Sequence, residues 1–332
     1  MKTTRRNFLA AMGTAVAAAG LPRVAATAMT PAPARPARDM RKAIFLVAAV
    51  TPCDRNMNFD EAVYKDILAY FKDQGADGVL VQGSTGEFPS FSVAERKRIM
   101  EVALKNKNGL SMIVSSGTPN FPETVELSNH AAEHGADGLL IIPPFYYKHP
   151  SEAELTTYYS LIFERVSIPI NLYHFPSMSG VAVSPGLLHS LERFPNLAGI
   201  KDSNGDAAEY QVYVKEFPKL NMRTGTANNL KAALEAGMGA MLTEGNVYTR
   251  QVAAIFTAAR QGKDLDEPLA KLDAAKQLMR GAGGGYGAMK YTLMQLMGVK
   301  SESCYCRPPM LDATEDQKAQ IKQRIGELTR MA

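Results

Sequence analysis

Three segments of the chain repeat one pattern. "FKDQGADGVLVQGS" (71–84), "AAEHGADGLLIIPP" (131–144) and "ALEAGMGAMLTEG" (233–245) each pass from a helical ending, through Gly75, Gly135 or Gly237, into a short apolar run. A glycine just past the last helical turn is a stop signal, because it takes up the left-handed conformation that closes a helix. An unbroken run of four to six apolar residues, without alternation, suits a strand buried on both faces, which is the condition of a parallel sheet. Gly75 and Gly135 are 60 residues apart, the length of two strand–helix units.

Extended along the chain, this unit predicts strands over 43–50, 78–82, 110–115, 138–142, 168–173, 197–201, 221–225 and 239–243. Amphipathic helices are expected over 59–74, 92–107, 121–134, 152–165, 184–193, 206–217, 228–236 and 247–262. Eight strands alternating with eight helices make an α/β chain of (β/α)8 type, a TIM barrel over 43–262. The competing doubly wound sheet lacks a glycine-rich dinucleotide fingerprint after the first strand. Residues 263–332 form a C-terminal extension of about three helices, suited to packing on the barrel and to oligomer contacts.

The first 28 residues read as an export signal: "TRRNFL", then the small apolar run "AAMGTAVAAAG", then "ATA" ending at Ala28. Twin arginines at Arg5 and Arg6 suit the twin-arginine pathway, so the expected product is periplasmic and has no membrane partner once the leader is cleaved. Residues 29–42 are a Pro/Ala-rich linker. The formal charge of +4 owes four positive charges to Lys2, Arg5, Arg6 and Arg23. The remainder is near neutral, which argues against a nucleic-acid partner. Cys53, Cys304 and Cys306 are odd in number and lack paired spacing, so they read as small packing residues and not as a disulfide framework or zinc site.

In a barrel of this kind chemistry sits at the C-terminal ends of the strands. Those ends carry Thr51-Pro52, "GSTGE" (83–87), "PPFYYKHP" (143–150), "YHFPSMSG" (173–180), Lys201-Asp202-Ser203, "GTAN" (225–228) and "TEGN" (243–246). The set has no His/Asp/Glu cluster for a metal and no Ser/His/Asp arrangement. It has one lysine at the end of an apolar run. An exposed lysine is neutral about once in 2,500 molecules at pH 7, whereas burial favours the neutral amine that attacks a carbonyl to form an imine. The alternatives are a lysine that snorkels to solvent or pairs with Asp202. Tyr173 suits a proton relay or simple packing. In Gly83, Ser84 and Thr85, backbone N–H groups and hydroxyls can hold a carboxylate, or the glycines can serve a tight connection.

The motifs "VTP", "GSTGE", "PPFYY", "YHFPSMSG", "GIKDS" and "RPPM", spread over Ile44 to Leu328, resemble the dihydrodipicolinate synthase and N-acetylneuraminate lyase superfamily, the class I pyruvate-type aldolases. The resemblance implies a TIM barrel, a homotetramer or homodimer, Lys201 as the Schiff-base lysine and Tyr173 as proton relay. It implies that Ser84 and Thr85 bind the carboxylate of a pyruvate-type substrate and that Tyr147 reaches the relay of a neighbouring subunit. No metal or organic cofactor is implied.

Two departures narrow the substrate. Met178 stands where the synthase branch has an arginine for a second carboxylate, and Ala227 and Asn228 stand where sialic-acid lyases have an acidic pair. Thr226, Asn228, Thr243 and Asn246 are the candidates for the hydroxylated tail, with Glu244 as a polar contact or a solvated carboxylate. The expected function is cleavage or condensation of a 2-keto-3-deoxy sugar acid to or from pyruvate and an aldehyde. A dehydratase or synthase using the same imine is the alternative within the enzyme class; a non-catalytic periplasmic keto-acid binding protein is the alternative outside it.

Overall fold

The apolar runs that follow the repeated glycines are strands, and they close on themselves. The computed structural model describes residues 43–282, 284–299 and 303–331; the export signal and linker expected over 1–28 and 29–42 lie outside the described residues. The strands are β1 (Phe45–Ala48), β2 (Gly78–Val81), β3 (Ser111–Ser115), β4 (Gly138–Ile141), β5 (Ile170–His174), β6 (Leu197–Asp202), β7 (Asn221–Thr224) and β8 (Ala240–Leu242). They pair in parallel and in chain order, and β1 against β8 completes the barrel. Gly75, Gly135 and Gly237 have φ of 91°, 83° and 73°, the left-handed stop that the repeat requires.

The helices are α1 (Glu61–Asp73), α2 (Val93–Lys105), α3 (Phe121–Glu133), α4 (Glu152–Phe163), α5 (Pro176–Ser179), α6 (Pro185–Leu191), α7 (Ala207–Glu216), α8 (Leu230–Glu235), α9 (Thr249–Arg260), α10 (Asp266–Leu278), α11 (Gly285–Met297) and α12 (Glu315–Arg330). Most begin at a side-chain cap: Asp60, Asn120, Ser184 and Asp206 each accept a backbone N–H, and Ser92 with Glu95 and Ser151 with Glu154 form capping boxes. The single turn α5 was not expected. It starts at Pro176, whose ring pre-sets a helical φ, and stops at Gly180 with φ 70°.

Alternation along the strands sorts two cores. Val47, Val79, Val81, Val114, Leu139 and Ile141 face the helices, while Leu46, Ala48, Leu80, Ile113, Leu140 and Met241 fill the barrel interior. The expected C-terminal extension is α10, α11 and α12, with a core of its own around Ala275, Met279, Ala288, Ile321 and Leu328. No helix among the described residues is long and apolar enough to cross a membrane.

Residues 303–307, ahead of α12, lie at the barrel mouth. Cys304 bridges to Cys53, and Tyr305 donates its backbone N–H to the Cys53 carbonyl at 3.2 Å. All three cysteines are free, and burial raises each thiol, Cys306 to about 12, so they sit as packing residues. Arg307 forks onto Glu95 with contacts of 2.6 and 3.1 Å and lies 4.0 Å over the Phe91 ring.

Chiefly through this Arg307 hydrogen bond, the Glu95 carboxyl is held down at about 2 against an ordinary 4.5. A depressed carboxyl contributes stability above its unfolded value and loses it as pH falls through the folded one. With the Glu95 side chain 41% exposed, solvent screening leaves about 0.5–1 kcal/mol. Glu95→Gln should therefore cost that amount in urea unfolding at pH 7. It should also flatten the decline of stability that the wild type shows from pH 4.5 towards pH 2. Parallel pH profiles for the two proteins would rule the linkage out.

Candidate active site

Strand register sets the site. Tyr173 on β5, Lys201 on β6 and Arg223 on β7 are side by side, so their side chains share the inner face of the barrel. Lys201 is 3% exposed and Tyr173 2%. The Lys201 Nζ donates to the Tyr173 Oη at 3.2 Å and lies 4.5 Å from the centre of the ring. Neither the snorkelling nor the Asp202-paired reading of Lys201 matches this geometry. Lys201 does not reach solvent, and among the described residues it makes no ion pair with Asp202, which points to the opposite face of the strand and accepts the Asn204 N–H at 2.8 Å. Burial pushes the Asp202 carboxyl above its ordinary range.

Beside this pair the barrel interior is polar on β5 and β7. The Arg223 Nη1 donates to the Asn171 Oδ1 at 2.6 Å, and the Asn171 amide donates in turn to the Leu139 carbonyl at 3.0 Å. Burial draws the Arg223 guanidinium down to about 10. Above the pair the backbone of Gly225 presses on the lysine stem: a Cβ there would meet the Ser203 Oγ at 2.0 Å and the Lys201 Cε at 2.9 Å. Gly225→Ala should thus displace the amine and lower turnover by about 10²-fold with little loss of fold, read as kcat against a circular-dichroism melt. Unchanged kcat would show that the stem has room the geometry denies it.

The "GSTGE" loop stands at the end of β2. Gly83 leads into a short 3-10 turn, Ser84–Gly86, in which Ser84 is half-buried and Thr85 buried. The Thr85 hydroxyl is 2.7 Å from that of Thr243, and Thr51 donates to the Gly86 carbonyl at 2.9 Å. Glu87 follows with φ 55° and is buried against Lys290 of α11 while accepting the Arg307 N–H at 2.9 Å. The loop is thereby held from β1, β8 and the C-terminal extension at once, leaving hydroxyls and N–H groups at a fixed strand end where an anion can be held.

The other candidates separate. Thr226 has a hydroxyl sealed from solvent without a hydrogen-bond partner, Thr243 is half-buried against Thr85, and Asn228 stands exposed. Asn246 has to be corrected. Its side chain is fully buried, donating to the Ala48 and Thr243 carbonyls at 2.8 Å and accepting the Val50 N–H at 3.0 Å, so it joins β8 to β1 and has no donor left for a ligand. Tyr147 is 70% exposed, edge-on to Tyr146, and Met178 is 54% exposed on α5. Sequence reasoning missed Glu87, Lys290, Arg223 and Asn171. Glu87 lay inside a quoted motif, but nothing local marks its partner. It also missed His174, fully buried, which accepts the Val183 N–H on Nδ1 and so turns its Nε2 to Glu209 at 3.3 Å.

Residues 42–328 match the Dihydrodipicolinate synthetase family. The N-acetylneuraminate lyase of Actinobacillus pleuropneumoniae is 33% identical over 75% of this chain and 85% of its own. A probable 2-dehydro-3-deoxy-D-pentonate aldolase, YjhH of Escherichia coli, is 28% identical over 80% of this chain and 91% of its own. Among solved structures, YagE from Escherichia coli in complex with pyruvate superposes with a TM-score of 0.79 at 26% identity, covering 86% of this chain and 98% of that one. With the match running from the first strand to the last helix, the chain belongs to the dihydrodipicolinate synthetase family.

Proposed function

We propose that this protein is a class I aldolase, a carbon–carbon lyase that cleaves or condenses a 2-keto-3-deoxy sugar acid through an imine on Lys201. The observation that carries the reading is the buried contact of the Lys201 amine with the Tyr173 phenol. The amine adds to the C2 carbonyl, and loss of water leaves an iminium. The Tyr173 phenol gives its proton to the carbinolamine hydroxyl that leaves as water, and the phenolate so formed is placed to take the proton from the C4 hydroxyl as the C3–C4 bond breaks. The aldehyde leaves, the bond's electrons remain as an enamine, Tyr173 returns the proton to C3, and water, deprotonated by the phenolate, releases pyruvate from the lysine. Gly83, Ser84 and Thr85 hold the substrate carboxylate throughout.

The substrate class rests on what surrounds the reacting end. Met178 offers no guanidinium for a second carboxylate, and Thr226, Asn228 and Thr243 offer neutral groups suited to hydroxyls. The similarity to the pentonate aldolase and to pyruvate-bound YagE supports the same class. The leader supports export to the periplasm, which cell fractionation of wild type and a twin-lysine leader variant would test. The exposed Tyr147 supports a homotetramer or homodimer in which it reaches a neighbour's relay; a monomeric mass at full activity would contradict this.

Borohydride trapping tests the chemistry. Incubation with pyruvate, reduction and peptide mass spectrometry should place a pyruvyl adduct on Lys201, and 2-keto-3-deoxy acids should then release aldehyde. Absence of any adduct from folded protein would leave the keto-acid binding protein as the better account. An adduct without aldehyde release from any such acid would move the assignment to a dehydratase or synthase.

A further inference from the structure

A second group of chemically capable side chains lies on the outer wall, where α2 packs beside α3. His130 is in the last turn of α3 and His134 caps that helix, four residues on and so on the same face. Glu101 of α2 faces them. One ligand atom from each of the three lies within 4.8 Å of the other two. The His130 Nε2 is 3.2 Å from a Glu101 oxygen, yet it is sealed from solvent and makes no aligned hydrogen bond.

The local bonds leave donor atoms free. The His134 Nδ1 is 2.8 Å from the His130 carbonyl, which fixes that nitrogen as the N–H and leaves Nε2 with its lone pair. The two rings lie 4.2 Å apart at 33°, and one nitrogen of each lies within 4.8 Å of the other and of a Glu101 oxygen. Arg98 forks onto Glu61 and touches the second Glu101 oxygen only at 3.5 Å, leaving the first for a ligand. The C-terminal end of α3 adds a negative dipole that favours a cation.

We propose that Glu101, His130 and His134 form a site for a zinc-type divalent metal, clasping α2 to α3 on the outside of the barrel. Two imidazole nitrogens and one carboxylate oxygen suit zinc at about 2.0–2.2 Å with water in the fourth position. The ion lies between the His130 Nε2 and Glu101, and His130 binds it as the neutral imidazole with its proton on Nδ1. No oxidation is involved. The site is separate from the barrel mouth, so its role is structural.

Zinc chloride titrated calorimetrically into the chelator-treated full chain tests this. One ion per chain is expected, with a dissociation constant on the order of 1 µM or tighter. His134→Ala, at an exposed position, should fold normally and bind at least about tenfold more weakly, and Glu101→Gln should weaken binding as well. Zinc should raise the melting temperature of the wild type and not of His134→Ala. Cobalt(II) should give weak visible bands without a thiolate charge-transfer band. The proposal is overturned if the wild type binds no zinc or if His134→Ala binds it equally. A thiolate band would also overturn it, because the metal would then sit at the cysteines near Cys53.

Discussion

Lys201→Ala is expected to lower pyruvate release by on the order of 10⁴-fold or more and to abolish the borohydride adduct, with an unchanged melting curve. The size of the effect follows from position. Lys201 is 3% exposed with its amine on Tyr173, and its neighbour Arg223 is a guanidinium bound to Asn171, which cannot form the imine. Tyr173→Phe should behave differently. It keeps the ring packed and the imine possible, removes the proton acceptor, and should cost about 10²–10⁴-fold in kcat while the pyruvate adduct on Lys201 still forms. If Tyr173→Phe lost the adduct as completely as Lys201→Ala, the phenol would be required for imine formation as well as for bond cleavage. Adduct formation on another lysine in Lys201→Ala would remove the mechanism.

Lys290→Met should be strongly destabilising. Lys290 and Glu87 are each 1% exposed and in direct contact, and Lys290 also donates to the Tyr305 carbonyl at 2.8 Å. Removing the ammonium leaves Glu87 as an uncompensated buried charge, at a cost of about 3–5 kcal/mol, or roughly 5–15 °C in melting temperature. The double variant Lys290→Met with Glu87→Gln carries no orphan charge and should recover a good part of the loss. Because Glu87 directly follows Ser84 and Thr85, the residues proposed to hold the carboxylate, Lys290→Met should also raise KM for keto acids more than it lowers kcat. A double variant less stable than Lys290→Met, or a single loss under about 1 kcal/mol, would mean that the pair does not bind the extension to the barrel.

The contrast between these two predictions marks what the sequence carries openly. Lys201 was legible because its strand is a run of local signals: a buried apolar stretch, a position at its C-terminal end, and the Tyr173 strand before it. The strand–helix alternation was legible for the same reason, since Gly75, Gly135 and Gly237 punctuate it. Lys290 was not. On α11 it is one lysine in a helix, and only the closed barrel shows that it is buried against Glu87. Asn246 failed in the other direction: a polar residue at a strand end reads as a ligand group, and only the long-range partners Ala48 and Val50 reveal a structural bond. Short elements were also lost, as with α5, where one proline and one glycine four residues later make a turn too brief to give a periodic signal.

The Asn246 bond has a consequence for how the protein is made. Its amide ties β8 to Ala48 and Val50, across separations of 198 and 196 residues. At about 5–20 residues per second a ribosome needs roughly 10–40 s to span that interval. Throughout it β1 exposes an unpaired edge from Phe45 to Ala48, an apolar segment able to pair wrongly with other nascent chains. A shorter wait would follow from a circular permutant in which β8 is synthesised immediately ahead of β1.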